Sequence, residues 1–282
     1  MLSVLVVSKG HDYDHNAFSA MLAAMPDIEA TFVDHPAAEM VLRGFSEHAY
    51  DAILFYDMCG IPGLALAHDG SQGSGQPTPG YHAAIEELLR RGVGMVLLNH
   101  ATVGWANWPL WRSITGSPFM LSRGTLHGID VPGSGYRGGH GPLPNPTLTL
   151  VPEGDHAVLA GLENGFSITD EIYLKTANFG PKVVPLLRGR FDFSASQFTP
   201  PPLASDEERA NWSHPYGSDL LVWANAAACP TTPNSGSPIV VSDLGDGPAA
   251  YENPHFRTLL ANSLRWVASA AAREWARTHL AD

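Results

Sequence analysis

The sequence predicts an α/β fold built on a mostly parallel sheet. Short apolar runs alternate with helical patterns over the first third of the 282-residue chain, which is typical of βαβ units. Hydrophobic residues make up 44% of the chain, enough for a large core, and there is no internal repeat and no clean linker. We therefore expect residues 1–282 to form a single domain.

The elements of the first half follow from local patterns. A nearly continuous apolar run, typical of a strand buried on both faces, occurs at residues 2–8. Further strands are predicted at residues 28–34, 52–56 and 93–98. Helical patterns lie between them at residues 16–25, 37–43 and 81–91. Asp14 is the expected N-cap of the first helix. This order predicts parallel strands joined by right-handed crossovers.

The second half is less regular, with Gly/Pro-rich stretches at residues 59–79 and 118–146 and an expected covering loop at residues 191–215. Further strands are predicted at residues 148–151, 182–187, 220–224 and 239–242. The last helix has Asn253 as its N-cap and Pro254 at its first position. Its pattern predicts a helix that continues past Ala270 to Thr278.

The charge of the chain argues against polyanionic partners. The net charge is −12, with 16 Lys and Arg against 28 Asp and Glu, so nucleic acid and anionic membranes are excluded as partners. A neutral, sugar-like small molecule fits this balance. No apolar run approaches the ~18 residues of a membrane span, no signal peptide is expected, and the two cysteines do not suggest disulfides. We expect a cytoplasmic protein, and a homodimer remains open.

Polar residues follow several of the predicted strands. His11 follows the first strand, Asp57 the third, His100 the fourth and Asp246 the last. Ligands of open parallel sheets bind at the carboxyl ends of the strands, so these side chains are expected to converge. Histidine titrates near neutral pH and is a candidate base or metal ligand. Asp57 either binds a metal or sugar hydroxyls or caps the next turn.

Other candidates lie outside these strand ends. Glu171 alternates with apolar residues and either points into the pocket or is a solvated carboxylate of an edge strand. Trp108 either stacks on a sugar ring or packs in the core. Tyr13 and His140 are candidate substrate-binding residues, His140 within the glycine-rich loop 133–141. That loop lacks the GK[ST] ending of a phosphate loop, so no nucleotide cofactor is evident.

Five segments together resemble the ThuA-like (trehalose utilisation) family. They are GHDY at 10–13, YDM at 56–58, NHA at 99–101, ITDEIY at 168–173 and PAAYENPHFR at 248–257. Their order and spacing extend from residue 3 to about residue 268, and the last segment is the most specific.

The resemblance implies a flavodoxin-like three-layer sandwich related to the class I glutamine amidotransferases. It places His100 at the elbow where those enzymes carry their cysteine nucleophile, and Cys59 and Cys229 lie elsewhere, so we reject glutamine amidotransfer. It also implies a role in using trehalose or related disaccharides, through 3-keto sugars, and a pocket able to hold a divalent metal.

The chain departs from the family at one position. The family has Leu-Gly-His-Asp before the proline of the last motif, whereas this chain has Leu-Gly-Asp-Gly, with Asp246 in place of the histidine. Asp246 is still able to bind a metal but is a weaker base at neutral pH.

Three functional hypotheses follow. The leading one is an isomerase, epimerase or lyase that removes a proton next to a sugar carbonyl. In it His11 and His100 act as base and acid or as metal ligands with Asp246, while Glu171 and Asp57 position hydroxyls. The second is a hydrolase that activates water on Zn²⁺, Mn²⁺ or Mg²⁺. The third is a non-catalytic sugar-binding or regulatory module.

Overall fold

The computed structural model describes residues 1–45, 49–61, 75–105 and 107–281. Within them the strands are β1 (Leu2–Lys9), β2 (Ile28–Asp34), β3 (Ala52–Asp57), β4 (Met95–Leu98), β5 (Gly124–Leu126), β6 (Ile129–Val131), β7 (Gly135–Arg137), β8 (Thr147–Pro152), β9 (Phe166–Thr169), β10 (Ile172–Leu174), β11 (Val184–Arg190), β12 (Leu220–Cys229) and β13 (Thr232–Ser242). The α-helices are α1 (His15–Ala23), α2 (Ala37–Arg43), α3 (Pro79–Arg91), α4 (Pro109–Thr115), α5 (Asp206–Asn211), α6 (Pro248–Tyr251), α7 (Pro254–Ala268) and α8 (Ala270–Ala281). None of these helices is long and apolar enough to cross a membrane.

Nine of these strands form one sheet in the order β2-β1-β3-β4-β13-β12-β11-β8-β9. The first five are parallel, as predicted for β1 to β4. The remaining four continue the sheet with antiparallel pairing. Strands β12 and β13 are longer than predicted and form a hairpin, and so short a connection permits only antiparallel pairing.

Helices cover both faces of the sheet and produce a three-layer sandwich. Successive strand residues point to opposite faces, so Val4 and Val6 pack with α1 and α7, whereas Leu5 and Val7 pack with α2, α3 and α4. The resulting hydrophobic cores lie on opposite sides of the sheet, and each contains residues fully shielded from solvent. The predicted α/β sandwich, flavodoxin-like in its layers, is confirmed.

Helix termini agree with the predicted caps in two places. The Asp14 side chain accepts a hydrogen bond from Ala17 N (2.8 Å) at the start of α1. The Asn253 side chain accepts hydrogen bonds from the first turn of α7.

The predicted continuous last helix is wrong. The backbone of Ser269 is extended (φ −77°, ψ 151°) and ends α7, and its hydroxyl accepts a hydrogen bond from Ala272 N (3.0 Å) in α8. A serine favours this because its side chain satisfies a free N–H of the next helix.

The irregular segments add two small pieces of sheet and a short helix. Strands β5 and β6 form a hairpin, and β7 pairs with β10. The predicted covering loop 191–215 contains α5, which begins with a capping box of Ser205 and Glu208. Part of the Gly/Pro/Ser-rich segment 59–79, residues 62–74, lies outside the described residues.

Candidate active site

Four of the predicted site residues meet at the carboxyl edge of the parallel strands. His11 follows β1, and His100 lies in the 3₁₀ turn Asn99–Thr102 directly after β4. Asp246 follows β13, and Glu171 lies between β9 and β10. Parallel strands place their carboxyl ends along one edge, which is why residues so distant in sequence become neighbours.

A cavity of about 320 Å³ opens at this edge and has two chemically different walls. We call the first the polar wall, and its members are His11, His100, Tyr136, His140, Glu171 and Tyr173. We call the second the apolar wall, and its members are Met58, Ile61, Val103, Phe119, Leu121, Pro202 and Leu203. Tyr173 connects the two walls, because its ring packs edge-on against that of Phe119, with the ring centroids 5.2 Å apart.

The histidines of the polar wall pack against one another. The rings of His11 and His100 are stacked with centroids 3.6 Å apart, and the His140 ring lies 5.0 Å from His11. Burial, together with the neighbouring His100, lowers the pKa of His11 to about 3. His11 is therefore neutral at physiological pH. Within the described residues, the Nδ1 atoms of His11 and His100 are buried without a hydrogen-bond partner.

His100 is paired with a carboxylate. Its Nε2 lies 3.2 Å from Asp246 Oδ1. Burial raises the pKa of Asp246, but the hydrogen bond and the charge of His100 outweigh it and hold that pKa below its usual value. Asp246 is thus a carboxylate that accepts a hydrogen bond from His100 Nε2, which leaves Nδ1 as the ring nitrogen without a partner.

Asp246 is itself held by the buried Asp170. The Asp170 carboxyl accepts hydrogen bonds from the backbone N–H groups of Gly245 (2.6 Å) and Asp246 (3.1 Å). The turn requires glycine, since Gly245 has φ 107° and a Cβ there would lie 2.8 Å from the Phe256 ring. The Asp246 side chain contacts His100 but is not among the residues that line the cavity.

Glu171 is a buried acid next to this pair. Its Oε2 lies 3.9 Å from His100 Nε2 and accepts a hydrogen bond from the Tyr173 hydroxyl at 2.9 Å. Burial, with the charge of Asp246 second, raises the pKa of Glu171 well above its usual value. The protonated form of this side chain therefore persists to higher pH than that of an ordinary carboxyl group. Glu171 is only 6% exposed, which agrees with the prediction that its side chain points into the pocket and not with the alternative of a solvated carboxylate on an edge strand.

The elbow turn buries His100. This residue, which the family resemblance places at the elbow, is only 3% exposed, and the next α-helix, α4, begins at Pro109. The strained position of the turn is Asn99, with φ 43°, and its side chain is fixed by donation to Asp243 O (2.9 Å). Both cysteines are buried, Cys59 after β3 and Cys229 at the end of β12.

Asp57 lies outside the cavity, which corrects its expected role of positioning substrate hydroxyls. Consecutive residues of a strand point to opposite faces, and the Asp57 side chain is on the side away from the polar wall. Its Oδ2 lies 3.1 Å from His35 Nε2 and accepts a hydrogen bond from Trp105 Nε1 at 3.1 Å. His35, Asp57 and Cys59 form a second group of potential metal ligands, fully buried, which the sequence did not indicate because His35 follows the edge strand β2.

The three candidate substrate-binding aromatic residues have different positions. His140 lines the cavity. Tyr13 does not, because its ring stacks on His15 at 4.0 Å. Trp108 is 2% exposed and stacks on Trp111 with centroids 6.0 Å apart, so the core alternative is the one that the structure supports.

Several contributors to the site were not identified from the sequence. Tyr173 and Asp170 lie within the ITDEIY segment, where only Glu171 was singled out. Phe119 and Leu203 come from irregular segments that carry no periodic signal. Beneath the elbow, Lys175 and Asp243 form a buried ion pair (Nζ to Oδ2, 2.5 Å) that no local pattern suggests.

Two histidines of the polar wall, together with Asp246 beside it, have ligand atoms suited to a divalent metal. One ligand atom from each of His11, His100 and Asp246 lies within 4.8 Å of the other two. The two unpartnered imidazole nitrogens are the kind of buried atom that a metal would satisfy. Two nitrogens and one carboxylate suit Zn²⁺ better than Mg²⁺, which prefers oxygen ligands.

Comparisons with known proteins agree with this architecture. A family model described as trehalose utilisation matches residues 3–267. A ThuA-like protein of Parabacteroides merdae has 16% identity, with 95% of this chain and 90% of that chain covered and a TM-score of 0.61. A second, from Bacteroides uniformis, has 14% identity, 94% and 91% coverage and a TM-score of 0.57. A protein of Salmonella typhimurium described as cytoplasmic has 12% identity, 94% and 99% coverage and a TM-score of 0.53.

At these identities the solved structures establish similarity of fold alone. No curated protein matches the chain. The chemistry therefore has to be argued from the cavity itself.

Proposed function

The chain belongs to the ThuA family of trehalose utilisation, and from that membership we propose that it is an enzyme of carbohydrate metabolism that moves a proton next to a sugar carbonyl. The observation that carries the proposal is the arrangement of base and acid in one cavity. His100 is paired with the Asp246 carboxylate at 3.2 Å, and the protonated Glu171 lies 3.9 Å from the same imidazole. A base and a protonated acid within one cavity are what such proton transfers need.

The roles follow from the protonation states. His100 removes the proton from the carbon next to the carbonyl, and the electrons of that C–H bond form the C=C bond of an enediol. Glu171 gives its proton to the carbonyl oxygen, so no charge accumulates there. His100 then returns the proton to the former carbonyl carbon, while the hydroxyl proton on the first carbon passes to Glu171, which completes an isomerisation with both residues restored.

The remaining residues of the polar wall orient and shield this pair. Tyr173 donates to Glu171, which fixes the orientation of its carboxyl group. His11 covers the His100 ring and excludes water from it. His140 is the third imidazole at the cavity and the nearest candidate to donate to sugar hydroxyls. We expect the reaction to take place in the cytoplasm, in keeping with the acidic chain.

A metal-dependent hydrolase is the second candidate, because the ligand atoms of His11, His100 and Asp246 are close together. An ion held by these residues would supply Lewis-acid polarisation of a carbonyl or an activated water. Metal analysis of protein purified without added metal, followed by chelation, separates the two. Activity that survives complete metal removal excludes the hydrolase.

The proposal is tested by solvent exchange. We expect 3-keto glucosides, both disaccharides and alkyl glucosides, to gain deuterium at the carbon next to the carbonyl when incubated with the protein in D₂O, as measured by NMR. His100→Asn should lower the exchange rate by about 100-fold or more while the circular dichroism spectrum is unchanged. The matched control is His82→Asn, since His82 is a partly exposed histidine of α3 outside the cavity. Bound sugar without exchange in the unmodified protein would instead indicate a binding module.

A further inference from the structure

The residues of the apolar wall have no role in the proposed proton transfer. Ile61, Val103, Phe119 and Tyr173 belong to one continuous hydrophobic cluster, with Met58 and Leu121 packed against it. This cluster is separate from the two large cores of the sandwich. It therefore forms a surface for whatever occupies the cavity.

We propose that the substrate is an unphosphorylated glycoside with an apolar aglycone, an aryl or short alkyl group, in place of the second sugar of a disaccharide. The sugar lies against the polar wall and the aglycone against the apolar wall. This assignment rests on the proposed function in one respect: the proposed proton transfer places the sugar at the polar wall.

A second sugar ring fits the apolar wall poorly. Its hydroxyl groups would leave water and meet the side chains of Ile61, Val103 and Phe119, which offer neither donors nor acceptors. Buried hydroxyls without partners cost free energy, whereas an apolar group at the same place gains it. The cavity, about 320 Å³, is at the small end of ligand pockets and suits one sugar ring with a small aglycone.

A phosphate group has no counter-charge at this site. No lysine or arginine lines the cavity in the part of the chain that the structure describes. The sequence outside it, residues 46–48, 62–74, 106 and 282, contains none either. The nearby Lys175 is 3% exposed and committed to Asp243 and to Ser117 O at 2.9 Å. The Asp246 carboxylate would repel an anion.

The outer part of the apolar wall is held in place. Leu203 lines the cavity with 39% of its surface exposed, so its side chain is accessible to a ligand there. Its neighbours are fixed, because the Arg209 guanidinium of α5 donates to Pro202 O (2.6 Å) and Ala204 O (3.0 Å). The covering segment thus presents Leu203 as a preformed contact for the aglycone.

The test is a binding series measured by calorimetry on the complete protein. The ligands are methyl, ethyl, propyl, butyl and pentyl glucosides and phenyl glucoside, with trehalose and glucose 6-phosphate as comparison ligands. We expect affinity to rise about fourfold per added methylene, the equivalent of about 0.8 kcal/mol per buried CH₂. Affinities that do not change with chain length, or tighter binding of trehalose or of the phosphate, would overturn the assignment.

Variants locate the effect and separate it from the catalytic proposal. Leu203→Ser should weaken pentyl glucoside binding by roughly fivefold relative to methyl glucoside. Met40→Ser, which changes an exposed apolar residue of α2 far from the cavity, should have no such effect. His100→Asn should keep the dependence on chain length while losing exchange. If the unmodified protein shows that dependence without exchange, the proposed function fails and the ligand assignment stands.

Discussion

Asp170 shows how a single residue controls the site without touching the cavity. It is 1% exposed and accepts backbone hydrogen bonds from Gly245, Asp246 and Glu171. Burial raises the pKa of Asp170 to about 8, while the three N–H donors favour its charged form. By binding the backbone of both Glu171 and Asp246, this carboxyl sets the spacing between the proposed acid and the partner of the proposed base.

Glu171 supplies the clearest pH dependence. Its pKa is raised, so the protonated acid persists to higher pH than in an ordinary carboxyl group and is lost as pH rises through that raised pKa. We expect Glu171→Gln to keep the hydrogen bond with Tyr173 but to lower kcat about 100-fold or more. In the unmodified protein the rate should decline at high pH as Glu171 loses its proton, whereas the residual rate of Glu171→Gln should not. A pH–rate profile of Glu171→Gln that keeps this decline would assign it to another group.

At this scale the sequence predicted the site residues that follow from strand ends. His11, His100 and Asp246 were placed together because parallel strands end at one edge. The predicted position of Asp57 was wrong, because consecutive residues of a strand point to opposite faces. Tyr56, and not Asp57, shares a hydrophobic core with Val4 and Val6. Side-chain direction at a strand end depends on which face is covered, and a single sequence does not show this.

Among the elements, the 3₁₀ turn Ala157–Leu159 depends on a histidine cap. His156 Nδ1 accepts a hydrogen bond from Val158 N (3.2 Å), and its ring packs edge-on against Trp266 at 4.7 Å. Burial lowers the pKa of His156, so the unfolded chain takes up the proton at a higher pH than the folded chain does. By linkage, the free energy of unfolding falls as pH decreases from the unfolded pKa of about 6.5 towards the folded one.

His156→Asn isolates this effect because asparagine also caps with a side-chain acceptor but does not titrate. We expect the loss of stability on acidification from pH 7 to be smaller in His156→Asn than in the unmodified protein. Urea denaturation at a series of pH values measures it. His255→Asn, at an exposed histidine of α7, should leave the pH dependence as it is. Equal acid sensitivity of both variants would contradict the cap.

The elements that local patterns determine were predicted most closely. Strand β2 and helix α2 have the predicted bounds, because period and capping are properties of adjacent residues. The antiparallel half of the sheet was not predicted as such, since β11 pairs with both β12 and β8 across long stretches of chain. Its strands were recognised individually, but their pairing is a property of the whole fold.

For the molecule as a whole, the buried pair of Lys175 and Asp243 connects the two halves of the chain beneath the site. Asp243 follows β13 and also accepts a hydrogen bond from Thr102 in the elbow turn (3.1 Å), whereas Lys175 follows β10 and lies 4.4 Å from the Trp223 ring. Burial raises the pKa of Asp243 and lowers that of Lys175, and the attraction between them opposes both shifts. Each charge is therefore tolerated in the core only because the other is present.

Removing one charge should cost much more than removing both. We expect Lys175→Met to lower the free energy of unfolding by about 3–5 kcal/mol, because it leaves Asp243 buried without its counter-charge. The double variant Lys175→Met/Asp243→Asn should recover part of that loss, since no charge is then buried. Arg188→Met, which breaks the partly exposed pair with Asp219, should cost less than about 1 kcal/mol. Urea denaturation of the unmodified protein, the single variants Lys175→Met and Asp243→Asn and the double variant gives the coupling energy. Additive effects of the Lys175 and Asp243 substitutions would show that the pair does not hold the elbow to the antiparallel half of the sheet.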